Sequence, residues 1–152
     1  MIPTYEGFKN KRNIENELSE RLSKFVSGMY IIFEYESFNW KVRKKSIILL
    51  LGRIGKTGIH EERNWKSGDV EYSAKVQIDI IDTIYEYDND AQILIKGTTC
   101  SFTINSKVNA EIKNIIVISP SLNSTQIKFN ELKNELPYKD WKINSDMEKY
   151  NL

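Results

Sequence analysis

The chain has 152 residues, of which 40% are hydrophobic and 28% are charged, and its formal net charge is +1. These values exclude a disordered chain and a strongly basic or acidic protein, and the length predicts one domain. The single cysteine, Cys100, excludes an intrachain disulfide. The longest apolar run, Ile47 to Leu51, is far shorter than the roughly 20 residues that span a membrane. The first residues do not resemble a secretory signal, so we expect a cytoplasmic protein without membrane contact.

The first predicted element is an amphipathic helix. Four apolar residues recur at spacings of four, four and three, which is the stripe of a helix with one buried face: Ile14, Leu18, Leu22 and Phe25. Asn13 is suited to cap the amino end, and Gly28 is suited to end the helix because it tolerates positive φ. We therefore expect a helix over residues 13–27.

Strands are predicted through the middle of the chain. Residues 30–35 and 40–51 are rich in β-branched, aliphatic and aromatic side chains. The clearest strand covers residues 70–87, where apolar and polar residues alternate. This alternation changes phase at Ile80 and Ile81, which indicates a β-bulge. After further short strands, we expect a helix over residues 124–136.

These elements predict an α+β fold. We expect a curved antiparallel sheet of about six or seven strands, with the N-terminal helix packed on one face and a short C-terminal helix. A single domain is expected over residues 1–144, followed by a frayed tail over 145–152. The expected core consists of Ile14, Leu18, Leu22, Ile32, Ile48, Leu50, Val76, Ile78, Ile80, Ile93, Ile95, Phe102, Ile104, Ile116 and Ile118.

A long loop is predicted over residues 53–68. The stretch from Gly52 to Gly68 contains four of the seven glycines together with Trp65 and many charged residues. Loops of this length are uncommon and are often functional, so we expect this segment to contribute to function more than to stability. The alternative is that it extends the strands before and after it as the tip of a long hairpin.

Several chemistries find little support in the sequence. Residues 52–57 end in Gly-Lys-Thr but lack the first glycine of a phosphate-binding loop, and no helical pattern follows them. One histidine, His60, and one cysteine cannot form a zinc cluster of Cys and His ligands. Cys100 alternates in phase with Phe102, which indicates a core position rather than a nucleophile. Residues 111–113, Glu-Ile-Lys, resemble the Glu-x-Lys triplet of restriction-type nucleases, but the resemblance covers only these three residues. We expect no metal, no cofactor and no catalytic residue.

Charge is distributed unevenly along the chain. Residues 41–66 contain eight basic and two acidic residues, a net charge of +6, whereas residues 69–90 contain seven acidic residues and one basic residue, a net charge of −6. One interpretation is that neighbouring antiparallel strands pair these charges. The other is that the two stretches form opposed surface patches that bind partners.

The leading functional hypothesis is a non-catalytic protein-binding module, acting as inhibitor, immunity or assembly proteins do. Its expected partner is another protein, of basic character, and its expected site consists of Asp79, Asp82, Tyr85, Glu86, Asp88, Asp90 and Trp65. The first alternative is a nucleic-acid-binding protein that uses Trp40, Lys41, Arg43, Lys44, Lys45, Arg53, Lys56 and Lys66. The second alternative is a carboxylate- or metal-dependent phosphodiesterase-type enzyme. The sequence does not indicate an oligomeric state.

Overall fold

A computed structural model describes residues 5–39, 44–84, 88–89, 92–93, 95–104 and 112–135. The helices are α1, Tyr5–Leu22, and α2, Leu122–Leu132. The strands are β1, Tyr30–Asn39; β2, Lys44–Arg63; β3, Val70–Thr83; β4, Asp88–Asn89; β5, Gln92–Ile93; β6, Thr99–Ile104; and β7, Ile112–Ser119. The boundary expected at residue 144 and the tail expected over 145–152 lie outside the described residues.

Five strands form one antiparallel sheet in the order β6-β3-β2-β1-β7. The α+β class is therefore confirmed, but the expectation of six or seven strands in this sheet was wrong. The reason is that β4 and β5 pair with each other, through Asp88 with Ile93 and Asn89 with Gln92, and form a separate two-stranded ribbon.

The sheet is strongly curved but open. The rings of Phe33 on β1 and Phe102 on β6 meet edge to face with their centroids 5.2 Å apart, and Tyr35 makes a similar contact with Phe102 at 5.5 Å. Two strands lie between β1 and β6, so a flat sheet would place their backbones about 14 Å apart. The sheet therefore curls until Cα atoms of its two edge strands, β6 and β7, come within 8 Å of each other.

The two helices cover opposite faces of the sheet. Helix α1 packs on β2 and β3. Because β3 exposes Gln77 on one face, α1 must cover the other, where Leu18 joins the core. Helix α2 packs on β1, β2 and β7, and its Gln126 donates a hydrogen bond to the Asp82 carboxylate at 3.1 Å on the face that α1 leaves free. The centre of the sheet is therefore shielded from water on both sides.

The β-bulge predicted at residues 80 and 81 is confirmed. Leu51 is opposite Asp82 and Gly52 is opposite Ile80, so Ile81 is the extra residue on β3. A second irregularity, which was not predicted from the sequence, follows Ile54 on β2, where residues 55 and 56 together oppose one residue of β3. Bulges increase local twist and bending, which suits the curvature of this sheet.

Both predicted helices are displaced from their expected bounds. Helix α1 ends at Leu22, earlier than the expected residue 27, because the backbone then forms a turn in which the Phe25 amide donates to the Leu22 carbonyl at 3.0 Å. Phe25 is still buried, so the turn preserves the apolar spacing without a helix. Helix α2 begins after Ser121, whose hydroxyl accepts a hydrogen bond from the Ser124 amide at 3.3 Å. It ends at Leu132, four residues before the expected end.

The core contains most of the residues expected there. Nine of them are buried: Leu18, Ile32, Ile48, Leu50, Val76, Ile78, Ile80, Phe102 and Ile104. Ile14 was wrongly placed in the core, because it lies on the exposed side of α1 and is 40% exposed. Four others are only half-buried, because they lie on the edge strand β7, in the segment before β6 or at the end of α1: Ile116, Ile118, Ile95 and Leu22. The Ile93 side chain lies outside the description.

Candidate functional site

The segment predicted as a loop over residues 53–68 is a β-hairpin, so that expectation was wrong and the hairpin alternative holds. Strand β2 runs to Arg63 and β3 begins at Val70, with Arg63 paired to Val70. Glycines and charged residues hide the alternation in this part of β2. The strand forms because β3, whose alternation is plain, pairs with it along its length. We call residues 57–73 the hairpin arm.

The arm extends beyond the neighbouring strands. β1 pairs with β2 only as far as Tyr30 opposite Arg53, and β6 pairs with β3 only as far as Ile104 opposite Ala74. Among the described residues, no third strand accompanies the arm past these points. Residues 60–63 alone add about 13 Å at the usual rise of a β-strand. The arm is thus a two-stranded projection from a well-packed sheet.

The tip of the arm is a hydrogen-bonded turn. The Asn64 amide donates to the Asp69 carbonyl at 2.8 Å, and the Gly68 amide donates to the Asn64 carbonyl at 2.8 Å. The Asn64 side-chain oxygen accepts from the amides of Lys66, at 2.9 Å, and Ser67, at 3.4 Å. Gly68 has a φ of 73°, a conformation that glycine adopts without a steric penalty. Local contacts therefore define the shape of the tip.

This turn presents Trp65 to solvent. The Trp65 side chain is 100% exposed, more than any other exposed large hydrophobic residue described. Many residues of the arm are charged. Four are acidic and two are basic, which gives residues 57–73 a net charge of −2: Glu61, Glu62, Asp69 and Glu71 against Arg63 and Lys66. The tip thus presents a large apolar ring at the end of an arm whose net charge is negative.

The two faces of the arm differ in character. Ile59 and Tyr72 lie on one face and are half-buried against the main core. The other face is polar, and on it the Lys75 ammonium lies 3.6 Å from the Glu62 carboxylate. The apolar face anchors the base of the arm to the domain, whereas the tip residues 64–69 are all exposed.

Two residues of the expected acidic site lie at the centre of the sheet. The bulge at Ile81 places Asp79 and Asp82 on the same face. The Asp79 carboxylate accepts a hydrogen bond from the Thr99 hydroxyl. The Asp82 carboxylate accepts from the Thr83 amide at 2.9 Å and from Gln126, and it lies 3.3 Å from the Lys96 ammonium. With its side chain only 15% exposed, Asp82 is held in internal contacts.

Apart from Trp65, the other side chains of the expected acidic site lie outside the described part of the chain. Tyr85, Glu86 and Asp90 lie outside the described residues, and only the backbone of Asp88, in β4, is described. Of the partner-binding residues predicted from the sequence, Trp65 is the one that the structure places on a projecting surface.

The residues of the nucleic-acid alternative are spread along β2. Trp40, Lys41 and Arg43 lie outside the described residues, and Lys45 is described by its backbone alone, paired with Phe38. Three members follow one another along the same hairpin: Lys44 at the start of β2, exposed Arg53 and exposed Lys56. Lys44 and Arg53 are about 30 Å apart along the strand. Lys66 lies at the tip, so the described members do not form one compact patch.

Opposite charges face each other across β2 and β3 at two places in the described hairpin. Arg53 is opposite Asp79 in the register of β2 and β3. Farther out, Glu62 is opposite Glu71, a pair of like charges, and Lys75 on β3 compensates Glu62. The interpretation based on paired charges therefore applies to part of the hairpin and not to its tip.

The candidates for catalysis are separated from one another. His60 is opposite Ser73, whereas Cys100 is opposite Ile78, and these two register pairs place their side chains on opposite faces of the sheet. Lys113 of the Glu-Ile-Lys triplet makes an ion pair with Glu36 at 2.8 Å. Over the part of the chain that the structure describes, no cluster of three or more His, Cys, Asp or Glu residues is arranged to bind a metal ion.

Comparison with known proteins gives no relatives: no protein-family model, no curated protein and no solved structure matches this chain. Within the described residues, no helix has the length and apolar character that a membrane crossing requires.

The residues that shape the tip were not among those predicted from the sequence. Asn64 and Gly68 hold the turn through their backbone and side-chain hydrogen bonds. Their signal was present, because asparagine and glycine are typical turn residues and a clear strand follows at Val70. The residues before Asn64 do not alternate like a strand and predict a loop. Asparagine and glycine are common anywhere in a loop, so they did not mark the position of a hairpin turn.

Proposed function

We propose that this chain is a protein-binding module that docks a partner protein through the tip of the hairpin arm, with Trp65 as the central contact. The observation that carries the proposal is the complete exposure of a tryptophan on a turn whose geometry is fixed by its own hydrogen bonds. This retains Trp65 from the sequence-based hypothesis and moves the site away from Asp82.

The energetic basis is the burial of a large ring by a partner. A tryptophan side chain removes about 150–250 Å² from water when it is buried, and tryptophan is among the residues most enriched in binding hot spots. Because local hydrogen bonds hold the tip, little conformational entropy is lost when it docks. The half-buried Ile59 and Tyr72 support the arm from the side of the core.

The net charge of the arm favours a partner of basic character that offers an apolar pocket to the ring. Four carboxylates and two cations give residues 57–73 a net charge of −2. Charge of this kind steers association and selects among partners more than it adds affinity. The expected partner of basic character thus follows from the arm rather than from the acidic stretch as a whole.

The test compares two single variants in a capture experiment. Immobilised wild-type protein, Trp65→Ala and Ile127→Ala are each incubated with a lysate of the source organism, with and without nuclease treatment, and the retained proteins are quantified by mass spectrometry. Ile127 is the matched control, because it is 57% exposed but lies on α2.

We expect a protein that is retained by the wild type and by Ile127→Ala and is reduced at least about 30-fold with Trp65→Ala, the loss typical of a hot-spot residue. Equal retention by all three proteins contradicts the proposal. Retention that disappears after nuclease treatment supports the nucleic-acid alternative instead.

A further inference from the structure

A second surface lies along the outer edge of β2, on the side that faces away from β3. At its base, Ile54 exchanges backbone hydrogen bonds with Gly28, at 2.7 Å, and Met29, at 2.8 Å. Beyond Ile54, in the part of the chain that the structure describes, no strand pairs with this side of residues 55–63. A strand edge of this length is a template for pairing with another strand.

The hydrogen bonds at the tip show which backbone groups face outward. The Asn64 amide and carbonyl are directed toward β3, because they bond to Asp69 and Gly68. Backbone groups alternate in direction along a strand. The amides and carbonyls of Thr57, Ile59, Glu61 and Arg63 are therefore directed toward the open edge.

We propose that this edge pairs with the same edge of a second copy of the chain, antiparallel and about a two-fold axis at Ile59. The sequence is self-complementary in this register, in which Thr57 of one copy is opposite Glu61 of the other. Lys56 is then opposite Glu62, and the symmetry produces this pair of opposite charges twice. The occupant of the edge is thus another copy of this protein.

The faces and directions of these residues agree with the pairing. Glu62 lies on the polar face of the arm, opposite Glu71, and its side chain is 68% exposed. Lys56 precedes Thr57, which is opposite the buried Val76, so alternation places Lys56 on that same polar face. Because neither residue directs its backbone outward, the two form a non-hydrogen-bonded pair, in which side chains come closest.

The two neighbouring registers do not offer this match. Moving the axis to His60 places Thr57 opposite Arg63 and Gly58 opposite Glu62, and moving it to Gly58 places Lys56 opposite His60. Neither shift brings a lysine or arginine opposite an acidic residue. The charges therefore select the register centred on Ile59.

This inference is independent of the docking role of Trp65, because the paired segment ends at Arg63, before the tip. The dimer is measured on the purified protein alone, whereas the docking role is measured with a captured partner. If the dimer is not found, the docking role of Trp65 is unaffected, and if no partner is captured, the dimer is unaffected.

The test measures the dimer dissociation constant by sedimentation equilibrium for the wild type and for charge-reversal variants. Lys56→Glu and Glu62→Lys each place like charges opposite each other at both symmetric positions, and we expect each to weaken the dimer by about tenfold or more. An equimolar mixture of these two variants restores opposite charges at both positions, so a heterodimer of wild-type affinity is expected. Lys128→Glu is the matched control, since it makes the same charge change as Lys56→Glu at an exposed position on α2, away from the arm.

A backbone variant checks the edge itself. The Glu61 amide is directed outward, so Glu61→Pro removes a donor from the open edge without breaking a bond to β3. We expect a monomer whose melting temperature is close to that of the wild type. The proposal is overturned if the wild type is monomeric up to millimolar concentration, if the charge reversals leave the dissociation constant unchanged, or if the dimer persists in a folded Glu61→Pro variant.

Discussion

The centre of the sheet and the hairpin arm are parts of the same two strands, yet their environments are opposite. In the centre, Ile48, Leu49, Leu50 and Leu51 are at most 1% exposed, because helices cover both faces. In the arm, by contrast, residues 60–69 are all exposed. The difference indicates a division of roles, in which the centre provides stability and the arm provides a surface. Substitutions in the two regions can test this division.

The largest loss of stability is expected at the centre. Phe33→Ala removes a ring that is 0% exposed and that contacts Phe102 edge to face. Truncation of a buried phenylalanine destabilises a protein by about 3–5 kcal/mol, and we expect a loss in that range from urea unfolding followed by circular dichroism. A loss below about 1 kcal/mol would show that the curved face is not tightly packed.

A pair of glycines compares the two regions directly. A Cβ atom at Gly52 would lie 2.2 Å from the Ile78 Cγ2 atom and 2.9 Å from the Asp79 carbonyl oxygen, whereas one at Gly58 would meet nothing within 4 Å. We expect Gly52→Ala to destabilise the protein by about 1–3 kcal/mol. Gly58→Ala is expected to be neutral or to stabilise it by up to about 1 kcal/mol, since it restricts the unfolded chain. Equal losses in thermal unfolding would contradict the division.

Asp82 tests whether the acidic stretch is structural at the centre of the sheet. Its carboxylate accepts from the Thr83 amide and Gln126 and pairs with Lys96, so Asp82→Ala leaves these groups without their acceptor. We expect a loss of about 1–3 kcal/mol in the free energy of unfolding. Asp69→Ala, in the exposed tip, is the control and is expected to change stability by less than about 0.5 kcal/mol. If the two variants are equally stable, Asp82 belongs to a surface and not to the internal network.

How well the sequence predicted the structure depended on how visible the burial pattern was. The alternation of residues 70–83 and the run Ile47–Leu51 revealed two strands, because burial imposes a regular pattern on side chains. The bulge at Ile81 was also visible, as a change of phase. The outer part of β2 was not, because a strand with glycines and charged residues is defined by its pairing with β3 and not by its own pattern.

The candidate site was predictable only in part, for a similar reason. Trp65 stood out as a large ring among charged residues, but its exposure depends on the turn between Asn64 and Gly68. Asp82 is one of seven acidic residues in the stretch 69–90, and from the sequence alone it was assigned to the same binding surface as several of the others. Its contacts with Lys96 and Gln126 join residues distant along the chain, and such contacts leave no local signal in a sequence.

The smallest effect on stability is expected from Trp65→Ala. Because the ring is 100% exposed, its removal deletes no buried contact, and surface substitutions of this kind usually change stability by less than about 0.5 kcal/mol. Differential scanning calorimetry of this variant beside Phe33→Ala measures the contrast between the two regions. A loss above about 1 kcal/mol would show that Trp65 packs on the domain.

The measurement that tests the account most directly is site-specific photo-crosslinking in living cells of the source organism. A photoreactive amino acid is placed at Lys66, beside Trp65 on the tip, or at Lys128, an exposed position on α2. We predict that illumination joins the variant at position 66 to one other protein in high yield, that Trp65→Ala abolishes this product, and that position 128 does not form it. Identical products from both positions, or none from position 66, would contradict the claim that the tip of the hairpin arm is the docking surface.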